Sequence, residues 1–446
     1  MRPLLLGNQE IGDDGRLRLC GQSAVELASR FGTPLYVFDA DVARETMRRW
    51  MSAAAQAAPE SEVAFAAKAN SALAVLALAR SEGLAVDVAS LGELEAARRA
   101  GFPPERIHLH GNYKTREELV AAVTLSLDSI VLDSISEIEA LIEVCSEQKA
   151  TARVMIRLAP GVDPETHVAI STGQEDTKFG FNISNGAARA AVERVGSASC
   201  LEFVGYHCHV GSQLFDAEAQ IAGAERLAAF ALECEGLVGL PRTLNAGGGL
   251  ASRYTQGDQP VGIETYCSQV AAAALAPFLR AGKPTPKIAF EPGRSLVAEA
   301  GVTLYRAGPI KSVPIDEMGR TRRYLSVDGG LSDNPRPQLY DAAYTAVNAT
   351  RGAEPHSAEF RIAGRHCETD TLIASALLPE ATQEGDLIAV LSTGAYNYSM
   401  ASNYNRFPRP AMVMLSAGRA EIVVERETIS ELFTRERVFE FTAGAK

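Results

Sequence analysis

Val63-Ala64-Phe65-Ala66-Ala67-Lys68-Ala69-Asn70 reads as a buried strand that ends in a reactive side chain. Five of its first six residues are small or apolar. Seven further β-rich runs follow: Val86–Ser90, Ile107–Gly111, Ser129–Ser134, Arg153–Leu158, Phe203–Val210, Leu244–Gly249 and Lys287–Gly293. Between them lie Ala-, Leu- and Glu-rich stretches with helical spacing, such as Ala72–Ser81, Leu91–Ala100, Arg116–Val123 and Ile135–Val144. Gly83 and Gly101 supply helix stops. Eight strands alternating with helices over roughly 230 residues predict an α/β fold, a (β/α)8 TIM barrel. An open doubly wound sheet is the second reading, weakened because no GxGxxG follows the first strand.

Outside this stretch the pattern changes. Val302–Ala307, Tyr324–Val327, Glu359–Ile362, Leu387–Leu391, Ala411–Leu415 and Glu421–Val424 are short runs separated by Gly, Pro, Asn and Asp, as in an all-β domain. Near the other end, Leu35–Phe38 reads as a strand and Asp41–Ala54 as a helix. Glu317–Arg323 is polar and reads as a hairpin loop. The expected division is residues 1–39 as a segment joining the β domain, 40–293 as the barrel and 294–446 as the C-terminal β domain.

Composition narrows the function. The chain has 446 residues, 46% hydrophobic, with 43 basic against 55 acidic side chains and a formal charge of −12. That balance argues against a nucleic-acid partner, which needs a basic face. Seven irregularly spaced cysteines do not form a disulfide framework. No metal site is expected: Cys208 lies between His207 and His209, but further ligands are missing. The apolar run Leu4-Leu5-Leu6 is too short for a signal-peptide core, and no run could span a membrane. These features predict a soluble cytoplasmic protein with a small-molecule ligand.

A barrel places its chemistry at the C-terminal ends of its strands. There the chain carries Lys68, Asp87, Ser90, Glu93, His108, His110, Arg157, His207, His209, Ser212, Gly247-Gly248-Gly249 and Glu291-Pro292-Gly293-Arg294. Lys68 on an apolar strand is expected to be buried, which lowers an amine's pKa and favours attack on carbonyls; the plain alternative is a snorkelling lysine. The glycine run can cradle a phosphate or simply make a tight turn. A lysine, a phosphate cradle and an opposed acid together suggest pyridoxal phosphate. In that reading Glu291 keeps the pyridine nitrogen protonated, which favours decarboxylation, and His209 stacks on the ring. A strand-end salt bridge and a core histidine are the alternatives for these two residues.

The chain also resembles the fold-type III pyridoxal-phosphate-dependent decarboxylases, most closely the diaminopimelate decarboxylases. The resemblance runs from Phe31-Gly32-Thr33-Pro34-Leu35-Tyr36 to Pro410. It is carried by Ala67-Lys68-Ala69-Asn70, Asp87-Val88-Ala89-Ser90, Gly111-Asn112-Tyr113-Lys114, Ser171-Thr172-Gly173 with Lys178-Phe179-Gly180, and His207-Cys208-His209-Val210-Gly211-Ser212-Gln213. Gly247-Gly248-Gly249, Glu291-Pro292-Gly293-Arg294, Arg336-Pro337-Gln338-Leu339-Tyr340, Cys367-Glu368, Gly394-Ala395-Tyr396 and Met400-Ala401-Ser402-Asn403-Tyr404-Asn405 complete the set.

The resemblance implies an alanine-racemase-like barrel with a β domain, in a head-to-tail homodimer with shared sites. It implies a cofactor set of Lys68, Asp87, Arg157, His209, Ser212, Gly247, Gly248, Gly249, Glu291, Gly293, Arg294 and Tyr396, with Lys68 bonded to the cofactor. Arg294, Arg336, Tyr340, Glu368 and Tyr396 would bind substrate. Lys68, His209, Glu291 and Cys367 would be catalytic, Cys367 donating a proton from the partner subunit and Glu368 reading the substrate's distal amine. The implied reaction converts meso-diaminopimelate to L-lysine and CO2. Alternatives are D-lysine, D-ornithine or another basic amino acid as substrate, a racemase, or a non-catalytic cofactor-binding relative. Three departures lie near the substrate: Cys367-Glu368-Thr369-Asp370-Thr371 where the family has Cys-Glu-Ser-Gly-Asp, His167-Val168-Ala169 for His-Pro-Tyr, and Tyr344 for a histidine.

Overall fold

The computed structural model describes residues 4–162, 176–316 and 319–439. Eight parallel strands, Ser61–Ala66, Ala85–Val88, Ile107–Leu109, Ser129–Leu132, Ala152–Ala159, Leu201–His207, Thr243–Asn245 and Lys287–Phe290, pair in chain order. The last pairs back onto the first, so the sheet closes into a barrel and the open doubly wound alternative falls away. Helices cover the outer face, so the strands are apolar on both faces and read as continuous hydrophobic runs. Trp50, on the helix Ala40–Ala57, shows this packing: it is fully buried against Tyr266 and Phe290.

Several barrel strands stop earlier than their apolar runs. The ladder between the last two strands ends at the pair Asn245–Ala289, and the strand Leu201–His207 ends its pairing at His207. Cys208–Val210, Ala246–Gly249 and Glu291–Gly293 are therefore rim loops. Helices begin at this rim behind side-chain caps: Ser90 Oγ accepts from Glu93 N at 3.2 Å, and Thr115 and Glu118 form a reciprocal capping box. Ser90 is thus a helix cap.

The second sheet joins both ends of the chain. Leu35–Asp39 lies between Gly301–Pro314, antiparallel, and Ala411–Ser416, parallel. Thr371–Pro379, adjoining His356–Ala363, and a small three-stranded sheet of Gln9–Ile11, Leu17–Leu19 and Gln22–Ser23 were not marked by the apolar runs. The hairpin after Pro314 is tighter than the polar stretch suggests, because Thr321–Arg323 already pair with Ser312–Pro314; Glu317-Met318 lie outside the described residues. Among the described residues no helix is long and apolar enough to cross a membrane.

Candidate active site

One cavity of about 460 Å³ opens at the C-terminal rim of the barrel, where the β domain meets it. Lys68, Asp87, Arg157, His209, Ser212, Gly249, Glu291, Gly293, Arg294, Arg336, Tyr340 and Tyr396 all line it. Gly247 and Gly248 do not. A Cβ on Gly248 would sit 2.2 Å from the Glu291 carbonyl oxygen, so the residue is glycine because two rim backbones touch there.

Lys68 departs from the expectation of burial. The first strand ends at Ala66, and the chain turns through a 3-10 segment, Ala67–Ala69. The turn swings the Lys68 side chain out into the open cavity, where it is exposed. Its backbone is held instead by the β domain: Tyr396 N donates to Ala69 O at 2.7 Å, and buried Asn70 Nδ2 donates to Gly394 O at 3.0 Å. Glu93 also lines the wall, its carboxylate accepting from Ala89 N.

Glu291 is buried in a nest of donors. His207 Nε2 lies 3.0 Å from one carboxylate oxygen and His110 Nε2 3.2 Å from the other, which also accepts from Asn245 Nδ2. Burial works against its charge, but these histidines hold the carboxyl well below the usual range. Burial drives His110 down to about 4, so that ring is neutral at neutral pH. Burial, reinforced by Glu291, raises neighbouring Asp87 well above the carboxylate range. The two acids are thus driven apart: Glu291 stays ionised and Asp87 takes the proton. Burial, with Lys68 and Arg157 nearby, likewise keeps His209 neutral, and its Nδ1 accepts from Gly248 N at 3.2 Å.

The opposite side is cationic. Arg294 is buried, donating to Tyr254 Oη at 2.9 Å and Ser212 Oγ at 3.0 Å. Arg336, also buried, opens the short helix Arg336–Tyr340. The Tyr396 ring lies between the two guanidinium groups, 4.9 and 5.1 Å from them. Arg157 stands 3.7 Å from Asp133 and over the Phe179 ring. Tyr344 is buried edge-on against Tyr254, behind this wall.

Not every candidate converges here. His108 lies lower in the barrel, bonded to Ser129 and Glu62 at the end away from the rim; His110, two residues on and on the same side of the strand, lies beyond the ladder and reaches the cavity. Cys367 and Glu368 are exposed and outside the cavity; Tyr404 Oη donates to Glu368 at 2.6 Å. Ser171-Thr172-Gly173 and His167-Val168-Ala169 lie outside the described residues. Asn245 and Tyr254 were missed in the sequence, since an amide at a strand end and a loop tyrosine look ordinary there.

The cavity suits pyridoxal phosphate. Both carboxylate oxygens of buried Asp87, and the Nε atoms of buried Arg294 and Arg336, have no hydrogen-bond partner among the described residues. Unsatisfied buried donors beside Ser212 and Gly249 fit an anionic group, and the ionised Glu291 fits a protonated ring nitrogen. Residues 44–298 match the family model described as pyridoxal-dependent decarboxylase, pyridoxal binding domain. Fold and site therefore define a pyridoxal-dependent decarboxylase.

Relatives narrow the class. The diaminopimelate decarboxylase of Bacillus subtilis is 44% identical over 430 residues, 96% of this chain and 97% of that one. That of Staphylococcus aureus is 40% identical over 420 residues, 94% and 97% of the two chains. The solved diaminopimelate decarboxylase of M. jannaschii, in complex with L-lysine, superposes with a TM-score of 0.89 at 34% identity, covering 97% of this chain and 99% of that one. The chain belongs to the diaminopimelate decarboxylase family.

Proposed function

We propose that this chain decarboxylates meso-diaminopimelate at its D-configured carbon, giving L-lysine and CO2, as one half of a homodimer with shared sites. The observation that carries the reading is the single cavity in which Lys68 and ionised Glu291 face buried Arg294 and Arg336. Pyridoxal phosphate, when bound, supplies the sink for the electron pair left as the carboxylate departs. Lys68, whose side chain is exposed in the cavity, is the amine that would hold the cofactor. Glu291, kept charged by His207, His110 and Asn245, holds a proton at the ring nitrogen and so deepens that sink. His209, kept neutral by burial, lines the cavity and would pack against the cofactor without adding a competing charge. Ser212, Gly249 and Arg294 would hold the phosphate end, and Gly293, where a Cβ would sit 3.1 Å from the Cβ atoms of Ala66 and Ala69, lets the rim pack against the Lys68 turn. Arg336, Tyr340 and Tyr396 bind and orient the substrate carboxylate.

Exposed Cys367 and Glu368 serve the partner subunit's site in this reading. Cys367 returns a proton to the carbon that loses CO2, and Glu368 receives the distal ammonium. A carboxylate at that place favours a cationic substrate end over a hydrophobic one. The division that supports this arrangement is a barrel of residues 40–293 and a β domain of 294–446 completed by 1–39, and we place the enzyme in the cytoplasm. Lys68→Ala is expected to lose both the visible absorbance of lysine-bound pyridoxal phosphate and CO2 release from meso-diaminopimelate. Persistence of that absorbance in the variant contradicts the assignment.

A further inference from the structure

Asp370 lies in the altered stretch that follows Cys367-Glu368, and it is 1% exposed. One of its carboxylate oxygens accepts from Leu331 N at 2.7 Å. The other lies 3.1 Å from His366 N and 2.6 Å from His366 Nδ1. Its backbone carbonyl accepts from Gly364 N at 2.7 Å. The carboxylate occupies the space beside two glycines: a Cβ would meet it at 2.1 Å on Gly330 and 1.9 Å on Gly364. Only residues without side chains let a carboxylate enter this nest.

The two loops joined there have different destinations. Gly329–Pro335 leads directly into Arg336 and Tyr340, which line this chain's own cavity beside Lys68. Arg365–Thr369 carries Cys367 and Glu368, which are exposed outside it. Further contacts brace the junction. His366 is buried and stacks near Tyr404, whose hydroxyl holds Glu368, and Cys367 N donates to Asn405 Oδ1 at 3.0 Å. Ser402 N donates to Ser332 O at 2.8 Å, tying the same pieces together from behind. A buried carboxylate that loses its donors, or donors that lose it, costs enough to move both loops.

We propose that Asp370 is a positioning residue that sets two loops at once, the Arg336 loop of its own site and the Cys367–Glu368 loop delivered to the partner's site. The two sites of a dimer are thereby mechanically joined through one carboxylate. This rests on the shared-site reading above, and the test separates the two. Mixed dimers of Lys68→Ala chains with Cys367→Ala chains contain one intact site, made of Lys68 and Arg336 from the second chain and Cys367 from the first. Asp370→Asn is then added to either chain.

On the Lys68→Ala chain it disturbs the Cys367 loop of the working site, and kcat is expected to fall about tenfold or more with KM little changed. On the Cys367→Ala chain it disturbs the Arg336 loop, and KM is expected to rise about tenfold. His366→Gln, which removes a single donor, should give the same split more weakly and serves if Asp370→Asn folds poorly. An effect from one chain alone, or from neither, overturns the two-loop role. Failure of the unmodified mixed dimers to recover activity overturns shared sites instead.

Discussion

Lys68 reaches the cavity because the first barrel strand stops two residues before it, and the β domain then grips the turn through Asn70 and Ala69. Its position was legible as a polar end on an apolar run, but its exposure was not, since strand ends depend on where the neighbouring ladder runs out. Glu291 shows the same limit. Its place after the last strand could be read directly, whereas the donors that set its charge come from three other strands: His110, His207 and Asn245. Glu291→Gln keeps the shape of the side chain and removes the charge. We expect kcat to fall about a hundredfold, while the affinity for pyridoxal phosphate falls much less. Comparing kcat with cofactor affinity in the variant checks this, and equal losses would make Glu291 a binding group only.

At the scale of elements, periodicity carried the barrel. Each strand is covered on both faces, so its composition alone marks it, and helix caps such as Ser90 and Thr115 mark where the chain turns back. The β domain was less legible. Thr371–Pro379 leaves Leu377 exposed, and the small first sheet has strands of two or three residues, too short for any period to emerge.

The far end of the barrel carries its own electrostatic plug. Glu62 binds His108 at 3.1 Å, Arg106 at 3.1 Å and Lys287 at 3.3 Å, linking the first, third and eighth strands. Burial opposes its charge, but His108, Lys287 and Arg106 together lower its pKa to about 2. A carboxyl held below its unfolded value of about 4.3 contributes stability above that pH and loses it as pH falls toward 2. Glu62→Gln is therefore expected to lower unfolding stability near neutral pH by on the order of 3 kcal/mol. Urea unfolding at stepped pH should show the gap from wild type closing between about pH 4 and pH 2. A gap independent of pH contradicts this account.

For the whole molecule, the chain's two ends close one site. Leu35–Asp39 anchors the β sheet, and the segments connecting its strands supply Arg336, Tyr340 and Tyr396 to a cavity floored by the barrel. The net charge of −12 says little about the ligand, because buried Arg157, Arg294 and Arg336 set the local field. Substrate identity was the least legible property. In the proposed reading it depends on the Cys367–Thr371 stretch, where this chain departs from its family's pattern. The most direct measurement is CO2 release by the enzyme loaded with pyridoxal phosphate from meso-diaminopimelate, D-lysine and D-ornithine side by side, with product analysis. Equimolar CO2 and L-lysine from meso-diaminopimelate, with little turnover of the other two, is the predicted result. Turnover of D-lysine or D-ornithine with none of meso-diaminopimelate, or a product that keeps both carboxylates, would contradict the account.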